Sequence, residues 1–197
     1  MIPEDILLAY GATFRKYKKG QCIFFEGDAP LFFYQLAEGS VRMVNVFNDN
    51  KEFIQGLFEK GESFGEPVLF TNSPYPATAI ANEDTIVLKM AKENFMCMLH
   101  GHAEVLFELT ICLAQRLYMK STLAKEISWG KPHHRVVTLL QMLKNKSGSL
   151  QPKQFKIELS RQRIADMLGL RVETVIRTMK KMEEDGAIEI KNGKAYL

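Results

Sequence analysis

A chain of 197 residues suits one large domain or two small ones, and either can bury a core. Its 46% hydrophobic and 25% charged residues indicate a soluble globular protein, and no run of about 18 apolar residues exists to cross a membrane as a helix. The net charge of +3 is modest and diagnoses nothing alone, and the three scattered cysteines, Cys22, Cys97 and Cys112, read as reduced cytosolic thiols without a disulfide or metal pattern.

The N-terminus, MIPEDILLAYGATF, is acidic early and lacks the basic flank and cleavage site of a signal peptide, so a cytoplasmic location is expected. From about residue 13 to 92 the chain reads as strands. Short apolar runs (QCIFFEG, FFYQLAEG, VRMVNVF, EFIQGLF, ATAIANED, TIVLKM) alternate with glycine or polar turns. Gly20, Gly27, Gly39, Gly61 and Gly65 fall at these junctions, where positive φ is often needed. The regular spacing predicts a jelly roll of about eight strands.

A short helix is expected near residues 93–99, followed by a long one over about 103–127, a stretch without Gly or Pro. Val105, Leu106, Leu109, Leu113, Leu117 and Leu123 recur there at threes and fours, which predicts an apolar seam for a coiled-coil contact with a second copy, the alternative being packing only against the chain's own β domain. Gly130-Lys131-Pro132 breaks this helix and reads as a hinge. Residues 134–144 form another amphipathic helix, which leads into the polar stretch NKSGSLQPKQ.

Residues 159–177, LSRQRIADMLGLRVETVIR, have the form of a helix-turn-helix. Ser160 can cap a first helix that buries Ile164, Met167 and Leu168, and Gly169 sits where a left-handed residue must end it. A second helix over about 172–184 carries Val175, Ile176, Met179 and Met182 at helical spacing, with Arg171, Glu173, Thr174 and Arg177 on its first turns. Such a helix places its N-terminal residues against base edges in the major groove; Arg can clamp guanine O6 and N7, and Glu can accept from the cytosine amino group. Beyond it, AIEIKNGKAYL alternates around Asn192-Gly193, a hairpin signal that here makes a wing with Lys191 and Lys194 at its tip. Residues 151–197 hold ten Lys or Arg against seven Asp or Glu, so DNA affinity depends on placement and on doubling by dimerisation. The expected double-stranded DNA contacts are Arg161, Gln162, Arg171, Glu173, Thr174, Arg177 and Lys194, with Arg161 placed for phosphate. No phosphate-binding loop, GxSxG, HExxH or GxGxxG motif is present, and an enzyme is not expected.

The order of β-roll, long helix and winged helix-turn-helix resembles the Crp/Fnr superfamily of bacterial transcription regulators. The likeness runs from about Phe14 to Leu197 and is carried most strongly by KGQCIFFEGD, YQLAEGSVRM, GESFGEPVLF and GLRVETVIR. It implies an α+β fold divided into a β-roll sensor domain (1–102), a central dimerisation helix (103–129) and a DNA-binding domain (130–197). It also implies a homodimer on a palindromic site, contact with RNA polymerase and no membrane. The VET segment and Arg177 are similar to the Fnr-like recognition helix, which implies base contacts by Glu173 and Arg177; the serine of that pattern is Ile176 here.

Members that bind cyclic AMP hold its phosphate with an arginine after the roll's short helix. Gly65 and Glu66 of that region remain, but Pro76 stands at the arginine's place, and no Arg or Lys occurs between Glu66 and Lys89. Lys120 replaces the threonine such members set against adenine. Cyclic AMP is therefore not the expected effector. A different, unidentified ligand is expected near Gly65, Glu66 and Thr78 of the roll and Arg116, Lys120 and Ser121 of the long helix. A constitutive DNA binder with a degenerate sensor, and a cyclic-nucleotide-responsive regulator, are the alternatives. The cysteine cluster of an iron-sulfur member is absent, and His100 and His102 read as surface residues, so neither cluster nor haem is expected.

Overall fold

The computed structural model describes residues 2–47, 51–129, 131–147 and 155–197. The chain divides into two compact units, Met1–Ala114 and Gln115–Leu197.

In the first unit a short helix, α1 (Glu4–Ala9), precedes the strands β1 (Thr13–Tyr17), β2 (Cys22–Phe24), β3 (Phe32–Glu38), β4 (Ser40–Val46), β5 (Glu52–Glu59) and β6 (Ser63–Phe64). A one-turn helix, α2 (Pro67–Thr71), leads to β7 (Thr78–Ala81) and β8 (Thr85–Ala91), and α3 (Lys92–Gly101) follows. The strands pair antiparallel in two four-stranded sheets, ordered β1-β8-β3-β6 and β2-β7-β4-β5. This is the expected roll. The five junction glycines take φ between 75° and 88°, as their turns require.

β3 explains how the layers stack. Its residues from Phe33 to Ala37 are all buried, so the strand is covered on both faces. Tyr34 and Leu36 point between the sheets, into a core with Phe24, Val41, Phe64, Tyr75 and Val87. Phe33 points the other way and stacks on Phe95 of α3 at 4.2 Å, in a core shared with Leu7, Leu88, Met90 and Met98. Gln35, on that second face, is buried but satisfied: its Nε2 donates to the Ile2 carbonyl at 2.8 Å and its Oε1 accepts from the Ile2 amide at 3.2 Å. That tie holds the N-terminal segment and α1 against the roll.

The long helix, α4 (Ala103–Trp129), divides the residues of the expected seam between buried and exposed positions. In the first unit Val105 and Leu109 are 4% and 5% exposed and belong to the roll's own core, with Leu113 packed partly against it. In the second unit Leu123 packs against the core that holds Val136, Ile164 and Val175. Four of the six residues expected to meet a partner thus pack within the chain, while Leu106 and Leu117 stay exposed. α4 is apolar on more than one face, and its large apolar side chains left in solvent are Leu106, Phe107, Ile111, Leu117, Tyr118 and Ile127.

The second unit continues with α5 (Pro132–Ser147), β9 (Lys156–Ile157), α6 (Arg161–Leu168), α7 (Val172–Glu184), β10 (Glu189–Lys191) and β11 (Lys194–Tyr196). Val136, Leu139 and Leu140 of α5 close a core with Ile164, Leu168, Val175, Met179, Met182 and Ile188. The wing hairpin gains a third strand, in the order β10-β11-β9, through Ala195 opposite Ile157. Gly130 of the expected hinge and the residues 148–154 of the polar stretch lie outside the described residues. Among the described residues no single helix is long and apolar enough to cross a membrane.

Candidate nucleic-acid interface

Local chemistry fixes the two-helix turn. Ser160 has extended backbone, and its Oγ accepts from the Arg163 amide at 3.2 Å, which starts α6. Gly169 ends the helix at φ 61°, and the Leu170 amide donates back to the Ala165 carbonyl at 3.0 Å. Arg171 is extended and begins α7, with Glu173 in the first turn, where the helix N-terminus favours an acid.

α7 buries one face completely. Val175, Thr178, Met179 and Met182 lie in the core, so the opposite face must point outward. Arg171, Glu173, Arg177 and Lys180 are exposed on it, and Thr174 is half-buried at its margin. Glu173 and Arg177 are one turn apart, so an acid and an arginine share one exposed row. Ile176 departs from the reading that grouped it with the apolar positions. The residues at 172, 175, 179 and 182 already complete the buried stripe, and Ile176, beside it, is 52% exposed.

The other expected contacts are held by neighbours. Arg161 Nη1 donates to the Gly193 carbonyl at 3.0 Å, which ties the start of α6 to the wing turn. Gln162 Nε2 donates to Asp166 Oδ1 at 2.7 Å. Asn192 and Gly193 take φ of 51° and 74°, the paired left-handed conformation of a tight hairpin turn, and present Lys194 to solvent. Lys191 pairs with Glu189 at 3.0 Å.

Inside the roll, the residues expected near an effector serve the packing. Phe24 and Tyr75 stack at 3.8 Å with their planes 15° apart, and Phe64 continues the stack. Tyr75 OH donates to the Phe32 carbonyl at 3.0 Å, and burial raises the phenol's pKa well above its ordinary value, so the donor keeps its proton. Gly65 lies against this pair at φ 75°. A side chain there would put its Cβ 3.0 Å from the Tyr75 ring and 3.1 Å from Phe24. Glu66 is fully buried and accepts from Ser63 Oγ at 2.9 Å. Thr78 Oγ1 accepts from the Glu26 amide at 3.0 Å. Pro76 is exposed, and its carbonyl accepts from Asn45 Nδ2 at 2.8 Å. The sequence reading missed the aromatic stack because Phe24 and Tyr75 meet only through tertiary folding.

In the second unit Arg116 is half-buried, and Lys120 and Ser121 are exposed on α4. His100 Nδ1 contacts the Met96 carbonyl at 2.7 Å, and His102 Nδ1 contacts Glu104 Oε1 at 2.9 Å. Cys97 is exposed, and Cys22 and Cys112 are partly buried. Among the described residues no group of three or more His, Cys, Asp or Glu gathers to hold a metal ion.

Comparison with known proteins places both units. Residues 14–102 match the family described as cyclic nucleotide-binding domain, and residues 134–197 match the Crp-like helix-turn-helix domain. The chain is 28% identical over 195 residues to the Cyclic AMP receptor protein of Thermus thermophilus, covering 98% of this chain and 88% of that protein. It is 27% identical over 175 residues to the cAMP-activated global transcriptional regulator CRP of Pasteurella multocida, covering 88% and 84%. The fold matches the c-di-GMP responsive global regulator CLP of Xanthomonas campestris with a TM-score of 0.77 at 23% identity, covering 98% of this chain and 97% of that one. It matches FixK2 of Bradyrhizobium japonicum with a TM-score of 0.76 at 22% identity, covering 94% and 92%. At these identities the structural likenesses speak for the fold.

Proposed function

Since the chain belongs to the Crp/Fnr family of transcription regulators, we propose that it acts in the cytoplasm as a homodimer on a palindromic DNA site and contacts RNA polymerase there. The family binds DNA through its helix-turn-helix and is not enzymatic. The observation that carries the proposal is the exposed row of Arg171, Glu173 and Arg177 on a helix whose other face is wholly buried. In this reading Glu173 and Arg177 contact base edges, and Arg171 and Thr174 flank them. Gln162 and Lys194 contact phosphate. Arg161 holds the wing turn and shares the phosphate contact.

The dimer forms along the exposed face of α4. Phe107 and Ala114, Thr110 and Leu117, and Ile111 and Tyr118 are each seven residues apart, the repeat of a two-helix seam. Function then divides as sensor domain 1–102, dimerisation helix 103–129 and DNA-binding domain 130–197.

The effector is a ligand other than cyclic AMP. The names of two of these relatives point to cyclic AMP and that of a third to cyclic di-GMP. Against the first stands the lack of any Arg or Lys between Glu66 and Lys89 to pair with the cyclic phosphate. Gly65, Glu66 and Thr78 in the roll and Arg116, Lys120 and Ser121 on α4 remain the proposed effector residues.

Titration calorimetry tests both halves of this reading. Cyclic AMP and cyclic GMP should give no binding at micromolar concentration; a dissociation constant of about 1 μM, about −8 kcal/mol, would contradict the sensor half. A duplex carrying the chain's own site should saturate at two chains per duplex. One chain per duplex would contradict the homodimer.

A further inference from the structure

α7 presents one side chain whose chemistry the polar contacts of a DNA interface do not use. Ile176 is 52% exposed. Among the described residues from 131 to 197 it is the one large apolar side chain left in solvent. Its neighbours on the helix surface are charged: Glu173 lies three residues before it and Lys180 four residues after. A lone exposed isoleucine in water is ordinary. One at the centre of a row that faces base edges is not, because it removes a hydrogen-bonding position from that row.

The major groove offers one apolar group on a base edge, the C5 methyl of thymine. We infer that Ile176 reads that methyl. The inference rests on α7 lying in the major groove, and it deepens that reading by assigning a base to an apolar residue. Isoleucine suits the task because its χ1 is nearly fixed in a helix, so little rotamer freedom is lost on contact. Glu173 and Ile176 lie on adjacent turns, so the thymine neighbours the base pair that Glu173 contacts. The preferred half-site then holds an obligatory thymine beside the pair read by Glu173.

The test uses the full chain and the duplex it selects. Each thymine of the half-site is replaced singly by deoxyuridine, which deletes the methyl and keeps every hydrogen-bonding group. Fluorescence anisotropy then compares the wild-type chain with Ile176→Ala and Ile176→Val. At one thymine per half-site the wild type should lose about fourfold in affinity, the worth of one buried methyl. Ile176→Ala should bind the thymine and deoxyuridine duplexes alike, and Ile176→Val should keep part of the difference. The exposed position leaves folding intact, which the melting temperatures of the variants check. If the wild type is indifferent to every deoxyuridine, or if Ile176→Ala keeps the full fourfold difference, the inference is overturned while sequence-specific binding stands. If the wild type discriminates among no duplexes at all, the major-groove reading falls and the role of Ile176 falls with it.

Discussion

Leu117→Asp is expected to yield a monomer that melts like the wild type and binds its DNA site about a hundredfold more weakly or worse. Leu117 is 67% exposed in the single chain, so a carboxylate there meets water and leaves the fold unchanged. In the dimer the same carboxylate would be buried at the two-fold seam without a partner, which is costly. Loss of the dimer separates the two half-sites, and the second binding event loses its effective concentration, a factor of about 100 or more. Leu109→Asp should behave differently. Leu109 is 5% exposed inside the roll's own core, and burying a charge there should cost at least the roughly 2–5 kcal/mol of a large core truncation. Light scattering with thermal melts separates the two. A folded, dimeric Leu117→Asp would refute the seam, and a stable but monomeric Leu109→Asp would place Leu109 in the seam as well.

Arg177→Ala should cost about 1–3 kcal/mol in each half-site and relax the choice of one guanine in both. The guanidinium is exposed on the outward row of α7, and its removal leaves the buried row of Val175, Met179 and Met182 intact. Arg161→Ala should instead weaken all sequences alike and lower the salt dependence by about one phosphate contact per half-site. Its hydrogen bond to the Gly193 carbonyl holds the wing turn, so some of the loss comes from a wing less firmly placed. Binding-site selection with each variant checks the assignment. The two roles must be exchanged if Arg161→Ala alters the selected motif and Arg177→Ala does not.

Local signals in the sequence were the ones that survived folding. Ser160, Gly169 and Asn192-Gly193 act within a few residues of themselves, and each does in the structure what its chemistry requires. The junction glycines of the roll are legible for the same reason. What was not legible depends on distant contacts. α1 is short and gains its place through Gln35, far along the chain. The Phe24–Tyr75 stack joins two segments separated by most of the roll. α4 is ambiguous in a further way: Val105, Leu109 and Leu113 form one apolar stripe, and Phe107, Ile111 and Tyr118 lie on another, and periodicity cannot say which meets its own core. Ile176 was open to a stricter reading, because a complete buried stripe on α7 leaves no room for it inside.

The central claim is a homodimer that reads a palindrome with α7 of each chain. Selection of bound sites from a random duplex pool tests it most directly. The claim predicts an inverted repeat whose half-site centres lie one helical turn apart, about 10–10.5 base pairs, with a guanine and a neighbouring thymine fixed in each half. Enrichment of a single unrepeated motif, or of no motif, would contradict it.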